Sequence, residues 1–168
     1  MSAAEASTET SYDYDLVILG GGSGGSGTAK RAAGYGAKVC IIDRGVQRDA
    51  DGNRVGAGLG GTCVNVGCVP KKIMWFAAHH RELLHGPTAT AQGYGITGVG
   101  DVGFDWEAMK AQRDAEVTRL NGIYERGWKK AGCDVVVGYA SVHSPHEVKV
   151  VMTADGSEKI ISARCVIE

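Results

Sequence analysis

The stretch YDLVILGGGSGG, Tyr14 to Gly25, runs from a β-rich apolar segment directly into a cluster of glycines. Tyr14–Leu19 reads as a buried strand. Gly20 to Gly27 reads as a loop, Thr28 to Gly34 as a helix ended by Gly34 and Gly36, and Lys38 to Ile42 as a second apolar strand. Strand, helix and strand within about 30 residues make a βαβ unit with parallel strands. The glycines follow the spacing Gly20-x-Gly22-x-x-Gly25. The first permits a tight turn, the second lets a pyrophosphate approach the backbone, and the third lets helix and strand pack closely. The helix N-terminus then offers free N–H groups and the positive end of its dipole to phosphates. Asp43 ends the second strand 18 residues beyond Gly25, where an acid takes the ribose hydroxyls of an adenosine. A 2′-phosphate is repelled there, so the pattern suits FAD or NAD rather than NADP.

Outward from this unit, Arg44–Gly58 is polar and glycine-rich, with Asp51-Gly52-Asn53 as a turn, and reads as an exposed loop. Lys71–Leu84 has helical spacing, and Gly86–Gly103 reads as an irregular connection. Phe104–Lys130 is the longest periodic stretch. Trp106, Met109, Val117, Leu120, Tyr124 and Trp128 recur there at three- and four-residue steps. Asp134–Tyr139, Glu147–Met152 and Lys159–Ile167 read as strands, the last two joined as a hairpin through Ala154–Ser157. The expected fold class is therefore α/β: an incomplete, Rossmann-like three-layer nucleotide-binding fold with a C-terminal β-hairpin or meander. Residues 1–11 read as a disordered lead and 12–168 as the partial domain. The chain stops within a strand, which suggests a piece of a longer protein.

Composition narrows the partners. Eighteen Lys and Arg against 19 Asp and Glu give a net charge of −1, so neither nucleic acid nor an anionic membrane is indicated. No run of apolar residues is long enough for a membrane-spanning helix. Met1–Ser11 lacks Lys and Arg and resembles neither a secretory signal nor a transit peptide, so a cytoplasmic location is expected. Glycine is 26 of 168 residues, roughly twice the usual share of about 7%, which implies many tight turns and close backbone approaches.

Five cysteines do not make a stabilising framework, but Cys63 and Cys68 stand five apart in GGTCVNVGCVPKK. That spacing does not match common zinc sites, and no metal is expected. In an ideal helix, residues five apart have Cα atoms roughly 8–9 Å apart, whereas a disulfide needs about 4.4–6.8 Å. A bridge therefore requires a distorted first turn, for which Gly67 supplies the freedom. The alternative is two buried, inert thiols. A helix N-terminus with Lys71 and Lys72 nearby favours thiolate character.

With GGTCVNVGCVPKK, the GGGSGG loop and the acid after the second strand in view, the chain resembles the FAD-dependent pyridine nucleotide–disulfide reductases, and among them the glutathione reductases, from about Tyr12 onward. Met74-Trp75, Phe104-Asp-Trp106, the helix Arg113–Tyr124 and the turn Gly138-Tyr-Ala140 carry the same resemblance. It implies NADPH-dependent reduction of glutathione disulfide through a Cys63–Cys68 redox disulfide, with Cys63 as interchange thiol and Cys68 as the thiol that receives electrons from the flavin. It implies FAD contacts at Gly20, Gly22, Ser23, Gly24, Gly25 and Asp43, at Gly61, Thr62, Cys63 and Lys71 near the flavin, and at Ala140 on the adenine side. Lys71 joins the two cysteines as a catalytic residue. Ser23, Lys30 and Tyr124 fall where the family contacts glutathione.

Three departures stand out. Lys30 replaces a usual Arg, turning a bidentate carboxylate clamp into a point charge. Glu116 replaces a usual Tyr, and residues 46–57 look like a surface insertion. The family's NADPH and dimerisation domains, with the catalytic histidine that the latter supplies across a homodimer, have no counterpart in these residues. His79, His80, His85, His143 and His146 match no such motif. The isolated chain is therefore expected to lack NADPH-dependent turnover. Two other readings remain open: a non-catalytic FAD-binding or thiol module, and a related reductase of the thioredoxin, trypanothione or dihydrolipoamide type.

Overall fold

The computed structural model describes residues 11–45, 47–48, 54–55, 58–85, 94–95 and 102–168. It divides into two compact units, Met1–Arg44 with Trp128–Glu168, and Gly45–Gly127.

The first unit is a mixed α/β structure. Strand β1 (Tyr14–Leu19) lies between β2 (Val39–Asp43) and β7 (Glu158–Ile167), parallel to both. Beyond β2 comes β5 (Asp134–Ser144), also parallel, and β6 (Glu147–Met152) pairs antiparallel with β5 and β7. The five strands close in the order β1-β2-β5-β6-β7. Closure is possible because β5 and β7 each serve two ladders. Asp134–Val137 pairs with β2, and Gly138–Ser144 with β6. Glu158–Ser162 pairs with β6, and Ala163–Ile167 includes the partners of β1. Gly138 sits at the changeover in β5. A Cβ there would lie 2.6 Å from the Val151 carbonyl oxygen, so only glycine lets the strands approach. The meander read at the C-terminus is thus continuous with the parallel sheet, and the closed arrangement is a finding beyond the layered reading.

The enclosed core is made by alternation. Val148 and Val150 of β6, Ile161 and Ala163 of β7, Val17 of β1, and Cys40 and Ile42 of β2 form one buried cluster. Each fully buried aliphatic side chain contributes roughly 1.5–3 kcal/mol. The β6–β7 turn is closed by the Met152 N–H donating to the Ser157 carbonyl (2.8 Å). Asp155 Oδ1 accepts from both the N–H (3.0 Å) and the hydroxyl (2.7 Å) of Ser157. Gly156, at φ +72°, takes the left-handed position of that turn.

Helix α1 spans Ser23–Gly34, five residues earlier than Thr28. Intrinsic propensity argues against Gly24, Gly25 and Gly27 in a helix. Packing overrides it: Ser26 and Ala29 are buried, and Gly25 lies so close to the Gly20 carbonyl that no side chain fits between them.

The second unit holds a two-stranded antiparallel piece, β3 (Gln47–Arg48) with β4 (Arg54–Val55), within the polar stretch Arg44–Gly58 that reads as loop from sequence. Then come α2 (Gly61–Asn65), α3 (Cys68–Leu84) and α4 (Trp106–Lys130). The division between units falls within α4, at Gly127 and Trp128. Residues 1–10, residues 51–53 read as a turn, most of Gly86–Gly103 and most of residues 46–57 read as an insertion lie outside the described residues.

Candidate functional site

In the first unit, the glycine loop is built around one carboxylate. The Gly20 N–H donates to the Ile42 carbonyl (2.7 Å), which ties the loop to the end of β2. The Gly21 N–H donates to Oδ2 of Asp43 (3.0 Å), and Asp43 is buried. Gly20 sits at φ +99°, a region that L side chains rarely adopt. At Gly21 a Cβ would strike the Asp43 carboxylate and the ring of Trp128. Trp128 is fully buried and donates its indole N–H to the Ser26 hydroxyl (2.8 Å). The loop is thus fixed by Asp43 and by a tryptophan about a hundred residues away in sequence.

This arrangement fits a dinucleotide. Helix α1 starts after Gly22 with no side-chain cap and no acid in its first turn. Its first intrahelical bond is the Ser26 N–H to the Gly22 carbonyl (2.8 Å). The N–H groups of Ser23, Gly24 and Gly25 precede that bond and point along the helix axis toward its N-terminus. Ser23 and Gly24 are exposed, and a Cβ added at Gly24 meets open space. These features make a cradle for a pyrophosphate, and the Asp43 carboxylate is an acceptor suited to ribose hydroxyls. Gly22, the second glycine of the spacing, is the N-cap of α1, and Gly25, the third, packs against the Gly20 carbonyl. Lys30 is exposed on α1, and Ala140 packs against the core of the closed sheet.

In the second unit, Cys63 and Cys68 are joined as a disulfide with Cα atoms 4.7 Å apart. The required distortion is a complete break. Helix α2 ends at Asn65, Val66 leaves helical geometry at φ −137°, and α3 begins at Cys68. Gly67 lets the two sides meet, since a Cβ there would lie 3.0 Å from the Thr62 carbonyl oxygen and 3.2 Å from the Cys63 Cα. Cys63 is half-buried and Cys68 exposed. Thr62 and Lys71 are exposed, and Gly61 opens α2 at φ +76°. Lys72 lays its ammonium over the rings of Trp75 (3.7 Å) and Phe76 (4.5 Å).

The loop before α2 is held by α4. Gly60 is left-handed at φ +100°, and the Tyr124 ring covers it so closely that a Cβ would lie 3.1 Å away. Asn65, between the two cysteines, is buried. Its Oδ1 accepts from the Gly58 N–H (2.8 Å), and its Nδ2 donates to the carbonyls of Gly58 (2.8 Å) and Gly61 (2.8 Å). Asn121 Nδ2 donates to the Leu59 carbonyl (2.6 Å) and to Asn65 Oδ1 (2.9 Å). Neither asparagine was singled out from the sequence. A signal for Asn121 exists: Val117, Asn121, Tyr124 and Trp128 continue the four- and three-residue steps, so a polar residue falls on the apolar stripe.

The remaining candidates have local partners. Glu116 is paired with Arg119 (2.7 Å), and that pair holds its carboxyl below the usual range. His79 stacks on Trp75, His80 Nδ1 lies 2.6 Å from the Phe76 carbonyl, and His146 Nδ1 lies 3.1 Å from that of Ala163. Among the described residues no cluster of three His, Cys, Asp or Glu is placed to hold a metal ion, and no helix is long and apolar enough to cross a membrane.

The three other cysteines differ from the pair. Cys40 and Cys133 are buried, and Cys165 is exposed. Burial pushes the Cys40 thiol up to about 12 and raises that of Cys133. A brief exposure of the native chain to a small alkylating agent near neutral pH is therefore expected to modify Cys165 and spare Cys40 and Cys133. Peptide mass spectrometry checks this, and rapid labelling of Cys40 would contradict the buried assignment.

Comparison with known proteins adds to this geometry. The family model described as pyridine nucleotide-disulphide oxidoreductase matches residues 14–167. Glutathione reductase of Yarrowia lipolytica is 44% identical over 158 residues, which is 90% of this chain and 30% of that protein. Glutathione reductase of Schizosaccharomyces pombe is 44% identical over 154 residues, or 92% and 30%. That of Debaryomyces hansenii is 44% identical over 147 residues, or 84% and 27%. The chain spans about 30% of the length of these relatives.

Proposed function

The chain belongs to the pyridine nucleotide-disulphide oxidoreductase family, and on that premise we propose that it carries the FAD-binding and redox-disulfide portion of a glutathione-disulfide reductase that draws on NADPH. The observation that carries this reading is the Cys63–Cys68 bridge across a helix break. A disulfide with one half-buried and one exposed cysteine, set across an interrupted helix, suits an electron relay better than a staple. The relatives named above favour glutathione disulfide as substrate over the disulfides of related reductases.

In this reading the α1 N-terminus holds the FAD pyrophosphate through the N–H groups of Ser23 and Gly24, and Asp43 takes the ribose hydroxyls. When bound, the flavin supplies the electron pair that, with two protons, converts the disulfide into two thiols. The Cys63 thiolate then attacks one sulfur of glutathione disulfide. A Cys63–glutathione bond forms, the substrate S–S bond breaks, and the first glutathione leaves as a thiolate that a general acid protonates. Cys68 attacks Cys63, the mixed disulfide breaks, the second glutathione leaves, and the bridge is restored. Lys30 and Tyr124 are the groups assigned to hold the substrate, with Lys30 giving a looser grip on a carboxylate than a guanidinium. The general acid and the NADPH site are assigned to parts of the longer protein, as is the homodimer.

Two measurements test this. The purified chain is expected to take up FAD, seen as quenched flavin fluorescence, and Asp43→Ala is expected to weaken uptake by about tenfold, the scale of one hydrogen bond to a charged group. In competition, glutathione disulfide is expected to reoxidise the reduced Cys63–Cys68 pair faster than thioredoxin or trypanothione disulfides do. Failure to bind FAD, or preference for another disulfide, would overturn the corresponding part.

A further inference from the structure

The buried amide pair beside the cysteine motif takes no part in the proposed reaction. Asn65 lies within α2, between the two cysteines in sequence, and its side chain reaches back to the loop at Gly58 and Gly61. Asn121, on the neighbouring helix, spends one amide hydrogen on Asn65 Oδ1 and the other on the Leu59 carbonyl. The loop it grips contains Gly60 and Gly61, both at positive φ and so without the stiffness that side chains confer. The two asparagines tie this turn down, Asn65 from within the motif and Asn121 from the neighbouring helix. Asn121 is buried, and replacing its donors removes one of two hydrogen bonds from the Leu59 carbonyl and one of two from Asn65 Oδ1.

We infer that Asn121 is a positioning residue that, through Asn65, holds Cys63 and Cys68 in bridging geometry and thereby sets how readily the disulfide is reduced. The inference rests on the pair being redox-active. Its physical basis is effective concentration. Two thiols free to separate re-form a bridge less readily than two held with Cα atoms 4.7 Å apart. A rigid turn therefore favours the disulfide, and a loosened turn favours the dithiol, whose sulfurs gain freedom when the S–S bond is broken by two electrons and two protons.

The test is redox equilibration of the chain in buffers of reduced and oxidised glutathione, with the Cys63–Cys68 state read by peptide mass spectrometry after alkylation. Asn121→Asp keeps the shape but aims carboxylate oxygens at two acceptors. Asn121→Ser keeps one donor. Each is expected to shift the equilibrium toward the dithiol, by about tenfold for the aspartate variant, equivalent to about 30 mV less negative, and by less for serine. Val117→Ala, which trims the same buried face of α4 outside the amide pair, is expected to lower the melting temperature without moving the equilibrium. An equilibrium within twofold of the unmutated chain in both Asn121 variants, or an equal shift in Val117→Ala, overturns the inference. Should neither Asn121 variant fold, the unmutated chain still decides. Coupling is reciprocal, so the Asn121 side-chain amide protons must exchange faster after reduction, and equal exchange in both states overturns the inference. If Cys63–Cys68 of the unmutated chain does not interconvert reversibly, it is the proposed function that fails.

Discussion

Cys63→Ser and Cys68→Ser each end reversible two-electron chemistry at the motif, but they leave different products. With Cys68 replaced, Cys63 is still half-buried beside the helix break and able to attack glutathione disulfide once. The mixed disulfide then has no neighbouring thiol to resolve it and accumulates. With Cys63 replaced, the exposed Cys68 remains, and it is not the sulfur assigned to substrate. In a reductase that also supplies the NADPH site and general acid proposed above, glutathione-linked turnover is expected to fall by roughly 10³-fold or more in either case, as when a nucleophile is removed from a catalytic unit. Intact-mass measurement after incubation with glutathione disulfide distinguishes the two. A stable glutathione adduct in Cys68→Ser and little or none in Cys63→Ser is the expected pattern. The reverse pattern would exchange the roles of the two sulfurs, and adducts absent from both would remove the motif from the reaction.

Gly25→Ala has the second largest expected effect. A Cβ at Gly25 would collide with the Gly20 carbonyl oxygen and lie 3.1 Å from Ile18 Cγ2. The first obstacle is backbone, so neither side can swing away. Gly20 is itself confined by its φ of +99° and by its bond to the Ile42 carbonyl. Overpacking of this kind costs about 1–3 kcal/mol, which corresponds to roughly 2–12 °C in melting temperature for a chain of this size. FAD uptake is expected to fall at the same time, because α1 is pushed off the loop. Gly24→Ala is the contrasting case. Its Cβ enters open space, so the helix gains up to about 1 kcal/mol of propensity. The same methyl enters the cradle assigned to the pyrophosphate, and flavin affinity is expected to drop while stability rises. Thermal melts and flavin titrations on both variants separate the two effects, and a stabilised Gly24→Ala with unchanged affinity would remove Gly24 from the phosphate site.

The readable parts of this protein are those written in short-range patterns. An apolar run, three glycines at fixed spacing and an acid 18 residues past the last of them place β1, the loop, β2 and Asp43, because each signal depends on neighbours within a turn or a strand. The cysteine pair is legible in part: the helical rise shows that a bridge at that spacing needs a distorted turn, for which Gly67 supplies the freedom, whereas the full break between α2 and α3 is visible only in the structure. What local pattern does not carry is who faces whom. The start of α1 at Ser23 depends on close packing that outweighs the low helix propensity of its glycines. The closed order of the strands depends on β5 and β7 each pairing with two partners. The bond from Trp128 to Ser26 and the grip of Asn121 on Leu59 and Asn65 join residues far apart in the chain. No residue spacing encodes such contacts, because they exist only after the core has formed and buried polar groups must find partners inside it.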